Sequence, residues 1–191
     1  MTKRKTFIIV MGPQGSGKST QASLLADYIG YKFISSGKYL RKLEREENPI
    51  GLKLSEFWKR GEFVPDDVIN DVMFSLFEKE ESSGFVIDGY PRNHSQLKTF
   101  LSYLNINNWE LRAVIYLEIS EAECLVRISN RAKIEMRIDE SIESVKKRLS
   151  LYHEETEPLV AEYNSLGVLK KIDAERTIEE IQQNIQFALG V

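Results

Sequence analysis

Residues 6–11, TFIIVM, are continuously apolar and rich in β-branched side chains, as suits a strand buried on both faces near the centre of a parallel sheet. GPQGSGKST follows at once, from Gly12 to Thr20. It fits the phosphate-binding pattern of Gly, four residues, then Gly, Lys and Ser or Thr. Gly12, Gly15 and Gly17 permit backbone angles and close approaches that turn successive amides, that of Ser16 among them, toward phosphate oxygens. The next helix adds its unpaired N-terminal donors. Lys18 is spaced to reach the β and γ phosphates, and the Ser19 or Thr20 hydroxyl to bond a phosphate or sit near magnesium. An ordinary Gly-rich turn is the bland alternative, and the preceding strand argues against it.

The loop by itself serves switch GTPases, motor ATPases and small-molecule kinases alike. No TKxD or NKxD tetrapeptide for reading guanine follows, and 191 residues are few for a motor. A kinase is the leading class.

Length and composition fit that reading. The chain suits one domain, and 42% apolar residues exclude disorder as its main state. A balance of 26 Lys plus Arg against 29 Asp plus Glu argues against a nucleic-acid partner held by broad phosphate neutralisation. One cysteine, Cys124, and 2 histidines leave no disulfide framework and no structural zinc. The apolar run 7–11 is too short for a membrane span or a signal-peptide core, so a cytoplasmic protein with no membrane partner is expected.

Further strands are expected at 85–88, 113–119, 168–173 and 32–35, with helical spacing at 19–29, 66–80, 121–131, 139–163 and 177–189. That alternation points to α/β. Asp66 or Asp67 is expected to cap the helix at 66–80. Pro91 should sit at the edge of a following helix, and Pro158 should kink or divide the long C-terminal segment. No repeat or Gly/Ser linker appears, so polar insertions around 36–65 and 131–137 belong to the same domain.

A second signal is FVIDGYPRNHSQ, residues 85–96, in which an apolar run delivers Asp88 to the C-terminal end of a strand, where open α/β sheets bind ligands. Asp88 suits magnesium held through water, Gly89 lets the backbone pass close to a substrate, and Arg92 offers a planar fork to a second phosphate. Arg127 and Arg131 stand four apart on one helical face, a repulsive pair that an anionic ligand would relieve. Arg137 and Arg148 follow, and a segment between Arg131 and Asp139 is placed to close over transferred phosphate. His94 and His153 are read as structural or exposed, Trp58 and Trp109 as packing groups, and Cys124 as a small buried hydrophobe.

Together these residues resemble the nucleoside monophosphate kinase family, most closely its adenylate kinases with a short lid. The likeness covers nearly the whole chain: GPQGSGKSTQ at 12–21, ISSGKYLR at 34–41 and DGYPRNHSQ at 88–96 occur in the family's order. It implies a P-loop three-layer fold with a central parallel sheet, a helical monophosphate-binding insertion at 35–64 and a short lid at 131–139. It further implies reversible, magnesium-dependent transfer of the ATP γ phosphate to AMP; a monomer is expected.

By that resemblance, ATP is held by Gly12, Gly15, Ser16, Gly17, Lys18, Ser19 and Thr20 with Arg127 and Arg131. AMP is held by Ser36, Arg41, Val64, Gly89, Arg92, Gln96, Arg137 and Arg148, the last two also matching phosphate-contacting positions on the donor side. Lys18, Arg92, Arg127, Arg131, Arg137 and Arg148 form the catalytic set. Gln96 reads the base, although a Gln amide can turn to present different donors and acceptors. UMP, CMP or another monophosphate is the alternative acceptor, and a non-catalytic nucleotide-binding module the alternative class. The chain departs from the family's pattern at Ser19 for Gly, Phe33 for His, Lys38 for an acidic residue, and Glu135 with Met136 for Ser and Gly.

Overall fold

In the computed structural model, which describes residues 4–60, 62–135 and 142–191, the alternating pattern becomes one parallel sheet between helical layers. Its strands are β1 (Thr6–Met11), β2 (Lys32–Ser35), β3 (Gly84–Asp88), β4 (Glu110–Glu118) and β5 (Leu169–Asp173), ordered β2-β3-β1-β4-β5. The helices are α1 (Lys18–Ile29), α2 (Ser36–Arg45), α3 (Pro49–Lys59), α4 (Asp66–Lys79), α5 (His94–Ile106), α6 (Glu121–Glu135), α7 (Ile142–Leu151), α8 (Leu159–Ser165) and α9 (Ile178–Leu189).

The uninterrupted hydrophobicity of β1 follows from its central place. Because successive strand residues face opposite ways, Phe7, Ile9 and Met11 enter one core with Met73 and Phe77 of α4 and Phe100 of α5. Ile8 and Val10 enter the other, with Leu25 of α1 and Ile181 and Ile185 of α9. Phe7 anchors the first core: its ring lies 5.0 Å from Phe77, 5.1 Å from Phe85, 5.6 Å from Phe100 and 5.7 Å from Trp109. Emptying such a position costs about 3–5 kcal/mol.

Pro158 divides the C-terminal segment as its chemistry requires. Proline lacks an N–H and crowds the carbonyl four residues back. The chain answers with a π-helical turn, Tyr152–Thr156, in which the Glu157 amide donates to the Tyr152 carbonyl at 2.8 Å, before α8 starts beyond Pro158. The segment 139–163 is therefore not one helix.

Two local expectations change. Neither Asp66 nor Asp67 caps α4, whose N-cap is Pro65 with no side-chain bond; Asp66 instead reaches across to α5. Pro91 lies in the turn after β3, while α5 begins only at His94, capped by Asn93, whose Oδ1 accepts from the Gln96 amide at 2.9 Å.

The parallel register sets the site. Val10 pairs with Asp88, and Ser35 pairs with Asp88 from the other side. The loop after β1, the acidic end of β3 and the start of α2 thus open on one crevice at the carboxyl ends of the strands, where the connection order reverses.

Candidate active site

The phosphate loop packs directly on α6. A Cβ at Gly15, whose φ is +90°, would lie 2.7 Å from the Cys124 carbonyl oxygen, so both backbone angle and space demand glycine there. Cys124 is buried and its thiol is pushed up by that burial, in keeping with a packing role. Lys18 lines the cleft, and its Nζ donates to the Pro13 carbonyl at 3.0 Å. Ser19 lines it too, whereas Thr20 is exposed on the first turn of α1.

Asp88 is 4% exposed. Its Oδ2 accepts from Ser19 Oγ at 2.5 Å and from Ser35 Oγ at 3.0 Å, while Oδ1 has no hydrogen-bond partner among the described residues. A buried carboxylate oxygen left bare in this way costs free energy unless a ligand meets it. The Ser19 hydroxyl, having donated, keeps two acceptor lone pairs. These are hard oxygen donors of the kind magnesium takes alongside phosphate and water.

Opposite the loop, Gly89 adopts φ +80°, and a Cβ there would lie 2.8 Å from Ser36 Oγ. Its carbonyl accepts from Ser36 Oγ and from Arg92 Nε, both at 2.7 Å. The Arg92 guanidinium also lies over the Phe63 ring at 5.3 Å. Burial holds its pKa below the ordinary arginine value; Asp88 acts the other way, and the like charges of Arg148 and Arg41 add to the lowering. Arg41, Arg92 and Arg148 all line the cleft. Three forks from α2, the β3 turn and α7 converge here, and an anionic ligand compensates their mutual repulsion.

Leu40, Val64 and Ile69, all buried, give the cleft apolar lining as well. Gln96, 2% exposed, accepts at Oε1 from the Arg92 amide and donates from Nε2 to Asp66 Oδ1, each at 2.8 Å.

On the donor side, Arg127 does not line the cleft. Its Nε donates to Glu123 Oε1 at 2.7 Å on the same helix, so the repulsion expected from its spacing to Arg131 is already eased by an internal carboxylate one turn away. The side chains of the 131–139 segment, that of Arg131 included, lie outside the described residues, as do residues 136–139, with Met136 and Arg137, altogether.

Two departures from the family pattern meet each other. The Lys38 ammonium lies 5.0 Å above the Phe33 ring, on the outer side of α2 and away from the cleft lining. Such a contact is worth about 0.5–1 kcal/mol when exposed. His94 and His153 are both exposed, facing Glu162 and Glu157. Trp109 packs in the core, and the Trp58 side chain lies outside the described set.

Sequence reasoning passed over Tyr152 and Thr156, which line the cleft beside Arg148. Their spacing, 148, 152 and 156, was the available signal: residues four apart share a helical face. It also passed over Gln14, another lining residue.

The adenylate kinase family model matches residues 10–168, which takes in every cleft group described above, from Gln14 to Thr156. The chain belongs to the adenylate kinase family. Among similar members, the adenylate kinase of Thermus thermophilus is 38% identical over 184 residues, covering 96% of this chain and 97% of the relative. That of Micrococcus luteus is 35% identical over 185 residues, covering 96% and 90%. That of Xanthomonas oryzae pv. oryzae is 36% identical over 184 residues, covering 96% and 98%. This family member has, among its described residues, no helix long and apolar enough to cross a membrane.

Proposed function

We propose that the chain catalyses reversible transfer of the ATP γ phosphate to AMP, giving two ADP. One observation carries the reading: Lys18, Arg41, Arg92 and Arg148 line a single cleft between the phosphate loop and Gln96.

In this reading an oxygen of the AMP phosphate attacks the γ phosphorus in line, the bond from phosphorus to the ADP oxygen breaks, and the electron pair leaves with ADP. The attacking oxygen is already anionic and needs little base assistance, consistent with two exposed histidines far from the role. The obstacle is repulsion between two polyanions. Arg41 and Arg92 hold the acceptor phosphate, Lys18 and the loop amides hold the donor, and Arg148 adds charge in the same cleft, so catalysis is alignment and charge compensation.

Magnesium, bound with ATP, supplies further charge compensation on the phosphates. Asp88, through water, and the Ser19 hydroxyl are the groups that would hold it, and the bare Asp88 Oδ1 supports that assignment. The 35–64 insertion, built on α2 and α3, acts as the acceptor-side flap. The 131–139 segment acts as a lid that brings Arg131 and Arg137 to the transferred phosphate and excludes water.

A coupled assay with ATP and a panel of AMP, UMP, CMP and GMP tests the reading. AMP is expected to give the highest kcat/KM. A preference for UMP or CMP overturns the role given to Gln96, and ATP binding without turnover on any acceptor overturns the enzymatic reading.

A further inference from the structure

We infer that Asp66 is a positioning residue for base selection: together with the Arg92 amide it locks the Gln96 side-chain amide in one orientation, making the acceptor pocket select a 6-aminopurine over a 6-oxopurine. The inference rests on the reading that Gln96 faces the acceptor base.

A glutamine amide is nearly symmetric in shape and opposite in polarity end to end, so a loose one accommodates either hydrogen-bond pattern by turning over. Gln96 is held at both ends. The Arg92 backbone N–H, which can only donate, lies 2.8 Å from Oε1; the Asp66 carboxylate, which when ionised can only accept, lies 2.8 Å from Nε2. Turning the amide over would set donor against donor at Arg92 and oxygen against carboxylate at Asp66, losing both bonds in a site where Gln96 is 2% exposed.

The carboxylate is itself fixed. Asn93 Nδ2 donates to the same Asp66 Oδ1 at 3.0 Å. Asn93 in turn accepts at Oδ1 from the Gln96 backbone N–H at 2.9 Å, which settles which end of the Asn93 amide faces Asp66. The network begins at two backbone donors and ends at a charged acceptor, so no member can invert by itself. This is why Asp66 opens α4 without capping it: its oxygen serves α5.

After these bonds Gln96 retains one N–H and one acceptor lone pair. A 6-aminopurine offers a donor at position 6 beside an acceptor at N1, and a 6-oxopurine offers the reverse. An amide fixed in one sense matches one of the two; an amide free to turn matches both. Asp66 does not line the cleft, so its influence on the base passes through Gln96.

The test compares kcat/KM for AMP and IMP, which differ only at that edge, in the wild type, Asp66→Asn and Asp66→Ala. Alanine removes the acceptor, whereas asparagine keeps an oxygen that can accept from both Gln96 Nε2 and Asn93 Nδ2. The AMP-to-IMP ratio is expected to fall at least tenfold in Asp66→Ala and to stay well above that of Asp66→Ala in Asp66→Asn. Because the ratio cancels the concentration of active enzyme, partial unfolding of a variant does not mimic the effect. A ratio within twofold of wild type in Asp66→Ala overturns the inference, as does a wild type that uses both acceptors equally. Neither result touches the transfer reaction, which fails only if the wild type does not phosphorylate AMP.

Discussion

The Thr156 hydroxyl donates to the Arg92 carbonyl at 2.6 Å, so the π-helical turn ahead of Pro158 is fastened to the turn after β3. The same segment carries Arg148 one helical stretch earlier, and Arg92 bonds Gly89 through Nε and Gln96 through its amide. The arginine therefore sits where three elements meet, its backbone held on both sides while its guanidinium faces the cleft.

Thr156→Val keeps volume and removes that donor. The expected result is a fall of about three- to tenfold in kcat/KM for AMP, the range of one neutral hydrogen bond, with KM for ATP little changed. Thr156→Ser is expected to restore activity. Steady-state kinetics with each substrate varied in turn checks this, and an equal rise in both KM values would count against a local effect on Arg92.

Lys18→Met and Arg92→Ala remove charge that opposes the developing phosphate repulsion. Each is expected to lower kcat/KM by 100-fold or more, equivalent to over about 2.7 kcal/mol, while the fold persists. Activity and thermal unfolding measured on the same preparations decide the matter. Near-wild-type turnover in either variant rejects that residue's role.

Ser19→Ala removes one of two hydroxyls that donate to Asp88 Oδ2. With ATP saturating, the magnesium concentration giving half-maximal rate is expected to rise about tenfold or more, on the order of one hydrogen bond to a charged group. An unchanged magnesium titration would separate Ser19 from metal binding.

Lys5→Met addresses stability apart from the cleft. Lys5 Nζ donates to the carbonyls of Phe77 and Glu80 at 2.5 and 2.8 Å, closing the C-terminal end of α4, and lies 5.4 and 5.1 Å from the Phe85 and Trp109 rings. Loss of charged bonds to those terminal carbonyls is expected to cost about 1.5–3 kcal/mol, or roughly 4–10 °C in Tm. Calorimetry should show this with kcat unaltered at 25 °C.

Much of this architecture was legible in one dimension. The strand at 6–11 announced itself because burial on both faces leaves no polar position, and the nine residues after it specify a loop through backbone constraints that act within a few bonds. Pro158 likewise divided its segment as its missing N–H demands. The role of Asp66 was not legible: a carboxylate at the head of a helical stretch normally reads as a cap, and only its 30-residue separation from Gln96, closed in space, turns it elsewhere. Arg127 has a partner that its spacing to Arg131 did not disclose, since Glu123 stands one turn earlier on the same face.

The sequence by itself determined the α/β class, the phosphate loop and the acidic strand end, because each rests on local backbone chemistry or on the period of apolar residues. Tertiary structure decided which arginines share a cleft, that Asp88 keeps a bare oxygen there, and which way the Gln96 amide is turned. Those properties depend on partners far apart in the chain, and direction in a hydrogen bond exists only once both partners are in place.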